Sequence, residues 1–161
     1  TEMGPTANKA QFEKILSYIA YGKEDGARLI TGGNRATGPG LETGLFVEPT
    51  VFADVTPDMR IAREEIFGPV LSIIPFTDED EAIEIANDVE FGLAAALWTR
   101  DLTRAHRVAQ KIRAGTIWVN GYRQNDPSVP VGGFKKSGLG RESGAEMIKE
   151  YLESKSVWIN F

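Results

Sequence analysis

The sequence predicts an α/β fold: a layered sheet of parallel strands joined by crossover helices, with one further strand at the C-terminus. Three observations predict it. Between residues 70 and 120, short apolar runs alternate with amphipathic stretches in the order strand, helix, strand, helix, strand. Each amphipathic stretch is long enough for a crossover, and such connections run right-handed between parallel strands. The last seven residues, Lys155 to Phe161 (KSVWINF), alternate as a strand does. A strand that follows a complete sheet needs a partner, and a second subunit is a natural supplier. The expected division is therefore residues 1–154 as the body and 155–161 as an oligomerisation strand.

The elements follow in order. Residues 9–25 read as a helix, with Phe12, Ile15, Leu16 and Ile19 at helical spacing and Gly22 and Gly26 loosening its end. Arg28 to Ile30 is a strand candidate closed by Gly32-Gly33. Residues 32–44 are rich in Gly and lack an apolar pattern, so they read as an exposed loop. Phe46 to Val55 is β-rich, although Pro49 argues against a central, fully paired strand at that point. Met59 to Ile66 reads as a short helix or turn. Val70 to Phe76 is nearly continuous in apolar residues, the pattern of a strand buried on both faces.

Acidic residues 78–81 offer caps for a helix with Ala82, Ile83, Ala86 and Val89 on its apolar stripe, ended by Gly92. Leu93 to Thr99 is the next strand. Asp101 caps a second helix with a stripe of Leu102, Ala105, Val108, Ala109 and Ile112, stopped by Gly115. Thr116 to Asn120 is the third strand. Residues 121–144 are loop-rich, Glu146 to Glu153 reads as a short helix, and the terminal strand follows.

Composition removes several classes of function. A chain of 161 residues buries roughly 70% of its unfolded surface, enough for a core without metal or disulfides. It holds no Cys and a single His, His106, so thiol nucleophiles, Cys-ligated zinc and multi-His metal sites are all excluded within it. Without a disulfide framework nothing points to secretion, and the cytoplasm is the expected compartment. With 18 basic and 23 acidic residues the net charge is −5, which disfavours nucleic acid and anionic membranes as partners. No apolar run approaches the ~18–20 residues of a membrane span.

Two glycine motifs are look-alikes. Gly132-Gly133-Phe134-Lys135-Lys136-Ser137-Gly138 lacks the Gly that a phosphate loop places directly before Lys-Ser. Gly138-Leu139-Gly140-Arg141-Glu142-Ser143-Gly144 misses the dinucleotide fingerprint by one residue and follows a loop. His106 lies off the apolar stripe of its helix, with no hydroxyl nucleophile to serve. The basic residues Arg100, Arg104, Arg107, Lys111 and Arg113 read as a solvated helix face. Glu64-Glu65 ahead of Ile66-Phe67-Gly68-Pro69 leaves two readings open. One is a solvated charge pair before a turn. The other is a carboxylate placed to accept hydrogen bonds from a ribose diol, with a phenyl ring to flank a planar heterocycle.

Four stretches together resemble the NAD(P)-dependent aldehyde dehydrogenase superfamily. They are Glu64-Glu65-Ile66-Phe67-Gly68-Pro69-Val70, Phe91-Gly92-Leu93-Ala94-Ala95, Ala114-Gly115-Thr116-Ile117-Trp118-Val119-Asn120, and residues 130–142 (PVGGFKKSGLGRE). Their order and spacing match too, over essentially the whole chain, which looks like the C-terminal third of such an enzyme. The resemblance implies NAD or NADP as cofactor, a small-molecule aldehyde as substrate and a homo-oligomer, dimer or tetramer, as the assembly. It implies that Glu65 holds the nicotinamide ribose hydroxyls, that Phe67 stands beside the nicotinamide and that Leu93 is a wall of the same cleft. Gln11 and Lys14 are implied to approach the ribose side. Residues 121–131 resemble the aldehyde entrance loop, lined by Gly121, Arg123, Asn125 and Val131, the last standing where many relatives carry an aromatic. Arg141, Glu142 and Glu153 resemble a support network near the subunit contact.

In this family a Cys thiolate attacks the aldehyde to give a thiohemiacetal, and a Glu-activated water later releases the acid. This chain has no Cys, and the resemblance places the nucleophile, general base, oxyanion Asn and N-terminal cofactor domain before the stretch seen here. It therefore implies no catalytic residue in this chain, no metal site, and no activity for the chain alone. Asn120 is not the oxyanion Asn. A different class of function stays open beside this one: a free-standing, non-catalytic oligomerisation or ligand-binding module of the same fold. An unrelated α/β nucleotide binder requires the four motif matches to coincide by chance.

Overall fold

The computed structural model describes residues 3–161, which divide into two compact units, the first running to Thr77 and the second from Asp78 to Phe161. The first unit begins with α1 (Lys9–Glu24), whose N-cap Asn8 accepts the Gln11 amide through its side chain. Such a cap satisfies one of the amides that the first turn leaves without a partner. The apolar stripe of α1 puts Phe12, Ile15 and Ile19 into the core together with Phe52, Val55, Ile61 and Ile66. Gly22 does not loosen the helix end as expected. It is buried inside the helix, and a Cβ there would stand 3.0 Å from the Phe52 ring. The helix can approach the sheet closely because this position has no side chain.

The sheet of this unit has three strands, β1 (Arg28–Thr31), β2 (Thr50–Ala53) and β3 (Val70–Ser72), in the order β1-β2-β3. β1 and β2 pair antiparallel; β2 and β3 pair parallel, with Thr50 opposite Val70 and Phe52 opposite Ser72. The central strand starts immediately after Pro49, so the missing amide falls outside the ladder and the constraint noted from sequence is met. Thr50 fixes that start. Its amide donates to the Pro69 carbonyl at 2.8 Å, and its hydroxyl accepts the Gly33 amide at 2.9 Å.

β3 corrects the expectation for residues 70–76. The strand is three residues long and lies at the sheet edge, with Leu71, Ile73 and Phe76 exposed while Val70 and Ile74 pack on the core. An edge strand covered on one face alternates instead of burying both faces. Between β2 and β3, α2 (Arg60–Arg63) delivers Ile61 to the core. Asp25 holds α2 against the end of α1 by a two-oxygen pairing with Arg60, whose guanidinium stacks 3.9 Å from the Tyr21 ring centroid.

The second unit carries α3 (Glu79–Asn87), β4 (Phe91–Gly92), β5 (Ala94–Leu97), α4 (Leu102–Lys111), β6 (Thr116–Val119), β7 (Phe134–Lys135) and a 3-10 helix at Ala145–Tyr151. β5 and β6 are the parallel pair joined by a crossover helix, Ala94 opposite Thr116 through Leu97 opposite Val119. The expected α/β architecture with parallel strands is present; the strands fall into three sheets, with parallel pairs β2–β3 and β5–β6 in two of them and an antiparallel β4–β7 pair in the third. The run at 93–99 breaks at Leu93. Residues 91–92 turn to pair antiparallel with β7, and Gly92 lies within β4 instead of ending a helix. The Gly92 position allows this, because a Cβ there would stand 2.4 Å from the Arg113 carbonyl oxygen.

The helix caps Asp78 and Asp101 are as expected, each accepting the amide three residues on. Leu102 departs from its predicted stripe. It is the first residue of α4 and is exposed, while Ala105 and Val108 carry the buried face. The short helix expected at 146–153 is a 3-10 helix over Ala145–Tyr151. The terminal stretch 155–161 has no strand partner among the described residues and is exposed throughout. No helix among the described residues is long and apolar enough to cross a membrane.

Candidate functional site

In the first unit, one polar face of α1 grips the segment that follows α2. Residues 11, 14 and 18 are one helical turn apart, so they share a face. Gln11 Nε2 donates to the carbonyls of Ile66 at 2.9 Å and Phe67 at 3.0 Å. Lys14 Nζ donates to the Glu65 carbonyl at 2.7 Å. The Tyr18 hydroxyl donates to the Glu64 carboxylate. The segment thus runs antiparallel to the helix, held at every residue from 64 to 67. From inside, Ile66 is buried in the core, and a Cβ on Gly68 would meet Ile15 at 2.5 Å.

This grip presents two side chains outward. Phe67 has φ +56 and its ring is 74% exposed. A non-glycine residue in the left-handed region costs about 1–3 kcal/mol and persists only where its surroundings over-determine it. The Gln11 amide on both flanking carbonyls and the buried Ile66 do that here. Glu65 is exposed, and its carboxylate has no partner among the described residues. An acceptor-only carboxylate without protein donors, two residues from a fixed aromatic face, suits a vicinal diol attached to a flat ring. Gln11 and Lys14, expected to approach the ribose side, contact this segment. They hold the backbone that bears Glu65 and Phe67.

The second unit has its own concavity, a cavity of about 340 Å³ lined by Leu93, Val131, Ser137, Arg141, Glu142 and Tyr151 among others. Arg141 donates through Nη1 to the carbonyls of Gly133 at 3.1 Å and Gly140 at 2.6 Å. The Glu142 backbone pairs with Val131 in both directions at 2.7 Å. Glu153 does not join them. It is exposed beyond the 3-10 helix, and Glu150 is the carboxylate beside Gly140. The expected Arg141–Glu153 network is not formed within this chain, because Glu153 lies exposed past the 3-10 helix while Arg141 bonds backbone carbonyls through Nη1.

Residues 121–130 form an almost wholly exposed loop that includes Gly121, Arg123 (φ +58) and Asn125. Asn125 and Val131 line a groove of about 310 Å³ with Thr116, Trp118 and Pro130. Trp118 Nε1 donates to the Gln124 carbonyl at 2.8 Å and so anchors the loop to β6. Asn120 exchanges two hydrogen bonds with the Thr99 backbone, both 2.8 Å, and ties the ends of β5 and β6 together. Both ends of its amide are thus engaged in structure. His106 is exposed on α4, and Arg104 and Arg107 pair with Glu79. No group of three metal-ligating side chains occurs among the described residues.

The aldehyde dehydrogenase family matches residues 1–157. The chain belongs to that family. A betaine aldehyde dehydrogenase of Mesorhizobium japonicum is 54% identical over 159 residues, covering 99% of this chain and 33% of its own length. An aldehyde dehydrogenase of Bacillus cereus, solved as an NAD+ complex, superposes with a TM-score of 0.93 at 50% identity, over 99% of this chain and 32% of its own. A betaine aldehyde dehydrogenase of Staphylococcus aureus, also with NAD+, gives 0.93 at 45%, over 96% and 31%. This chain thus spans about a third of the length of the aldehyde dehydrogenases it matches.

Sequence reasoning missed two residues of the site. Tyr18 was legible in principle, since it continues the spacing of Gln11 and Lys14 along one helix face. Trp118 carried no signal, because its loop-anchoring hydrogen bond goes to a backbone carbonyl.

Proposed function

We propose that this chain is the C-terminal third of an NAD-linked aldehyde dehydrogenase that oxidises an aldehyde to a carboxylic acid. The observation that supports this most strongly is the unpartnered Glu65 carboxylate beside a Phe67 ring held in the left-handed region, in a chain of this family. Glu65 accepts hydrogen bonds from the ribose diol, and Phe67 covers one side of the nicotinamide. When bound, the nicotinamide accepts a hydride from the substrate. The chain's own residues orient that ring, and small errors of orientation are costly at a hydride-transfer distance. Residues 121–131 form the aldehyde entrance, and residues 155–161 pair with a partner subunit. The thiol nucleophile comes from sequence this chain does not contain, so the 161-residue chain alone is inactive.

Betaine aldehyde is the first substrate to test, since the curated relatives at 53–54% identity carry that name. The full-length enzyme containing this sequence is expected to form NADH with betaine aldehyde or another member of an aldehyde panel, and the isolated chain to form none. Full-length protein that reduces no NAD with any aldehyde refutes the reading. Sustained turnover by the isolated chain refutes its inactivity. In the full-length enzyme, Glu65→Gln is expected to lower turnover through a mis-set nicotinamide, and unchanged kinetics would remove the role given to Glu65.

A further inference from the structure

We infer that Tyr18 is a positioning residue for the nicotinamide end of the cofactor: its hydroxyl fixes Glu64, and through Glu64 the direction in which Glu65 and Phe67 present their side chains. The inference rests on the cofactor role proposed for those two residues. Of the grips between α1 and residues 64–67, those of Gln11 and Lys14 end on backbone carbonyls. Any sequence at 65–67 offers such carbonyls. Only the Tyr18–Glu64 rung joins two side chains, so it depends on the identity of both residues.

Its place in the segment gives it leverage. α2 ends at Arg63, and Glu64 is already extended, at φ −107 and ψ 146, with its amide on the Arg60 carbonyl. Glu64 is therefore the pivot between a helix fixed in the core and the two outward-facing residues. Without the Tyr18 contact, the segment is held from Glu65 onward, but its first residue is tethered only through its own backbone. Rotation there swings the peptide that carries Glu65.

Tyr18 is itself braced for this work. Its ring meets Tyr21 edge-on at 5.6 Å between centroids, and the Lys14 ammonium stands 5.5 Å from its centroid. Those contacts belong to the ring, so a phenylalanine at position 18 keeps them and loses only the hydroxyl. A hydrogen bond to an ionised carboxylate is also the stronger kind, which makes its loss measurable.

The test is a set of variants in the full-length enzyme: Tyr18→Phe, Glu64→Ala, Glu64→Gln and the double variant Tyr18→Phe/Glu64→Ala. Each is assayed for KM for NAD, kcat, KM for aldehyde and thermal midpoint. Tyr18→Phe is expected to raise KM for NAD by roughly three- to tenfold, less than the full worth of a hydrogen bond to a charged group because Glu64 is exposed and acts on the cofactor only through Glu65 and Phe67. The KM for aldehyde and the midpoint should move little. Glu64→Ala should reproduce this effect, and the double variant should be no worse than either, because both remove the same contact. Glu64→Gln keeps an acceptor and should recover most of the wild-type KM for NAD.

An unchanged KM for NAD in Tyr18→Phe overturns the inference. So do additive effects in the double variant, or a fall in midpoint with all kinetic constants moving together, which marks a purely structural contact. If Tyr18→Phe does not fold, Glu64→Ala at an exposed side chain reads the same contact and decides by the same criteria. A wild-type full-length enzyme that cannot reduce NAD defeats the functional reading itself. A wild type that reduces NAD beside an indifferent Tyr18→Phe defeats only the positioning role.

Discussion

Phe67 and Gly68 show how the fold stores a conformation at the site. Phe67 sits at φ +56 with its ring in solvent, so its own packing does not hold it there. What holds it is Gln11 on one side and the Ile15–Gly68 contact on the other. Gly68 has an ordinary φ, so its role is the close approach: a methyl there would overlap Ile15, which is fully buried and has nowhere to go. Gly68→Ala is therefore expected to destabilise the chain by about 1–3 kcal/mol through overpacking. It should also displace Phe67 from α1. Calorimetric or chemical unfolding measures the first effect. Ile15→Ala, which deletes both carbons 2.5 Å from that methyl, should cost less stability in the Gly68→Ala background than in the wild type. A Gly68→Ala chain as stable as wild type would show that the segment is not pressed on α1.

At the scale of elements, the exposed faces of α3 and α4 are bound by charge. Glu79 accepts from Arg107 at 2.7 Å and from Arg104 at 3.0 Å, and Lys111 reaches Asp80 at 3.1 Å. The Arg107 hydrogen bond, with Arg104 in support, holds the Glu79 carboxyl down to about 2, against 4.5 for the free group. A carboxyl more acidic folded than unfolded adds stability that is present above pH 4.5 and lost as the pH falls toward 2. Unfolding of the second unit should therefore become easier with acid across that window. Glu79→Gln should remove that component of the slope, which thermal midpoints read at successive pH values can detect. Added salt should shrink the effect, because the pairs are solvated. The elements themselves were largely legible from the sequence, because caps such as Asp78 and Asp101 and the α1 stripe act locally. Gly92, Leu93 and the run at 70–76 misled for the opposite reason. Whether an apolar strand is central, edge or broken depends on which strands come beside it, and that is set by contacts distant in sequence. Glu65 and Phe67 stand out in the sequence by residue type, whereas the hydrogen bonds of Gln11 and Lys14 to residues 65–67 become visible only with the backbone in place. The terminal residues 155–161, expected to add to a second subunit's sheet, pair with no strand among the described residues.

At the scale of the molecule, the two units differ in how much they bury. The first has a contiguous core of nine buried residues around Ile15, Ile19 and Phe52, whereas the second buries Ile83, Ala105, Val108 and Ala114 and leaves Leu93, Trp98, Val119 and Leu139 exposed. Amide exchange should accordingly be slowest in α1 and β2, since local opening tracks the apolar surface that must be exposed. The same imbalance bears on association. Val157, Trp158, Ile159 and Phe161 are all exposed in a stretch that pairs with no strand of the described chain. An extended apolar stretch with free backbone donors and acceptors is a template for pairing with another chain. Truncation after Lys155 should therefore leave the unfolding midpoint nearly unchanged, because the stretch is exposed throughout and pairs with no strand among the described residues. It should shift sedimentation toward the monomer. If the truncated chain associates as strongly as the intact one, the exposed apolar faces of the second unit, rather than the terminal stretch, drive the contact. If its midpoint falls markedly in dilute monomeric solution, the tail supports its own chain.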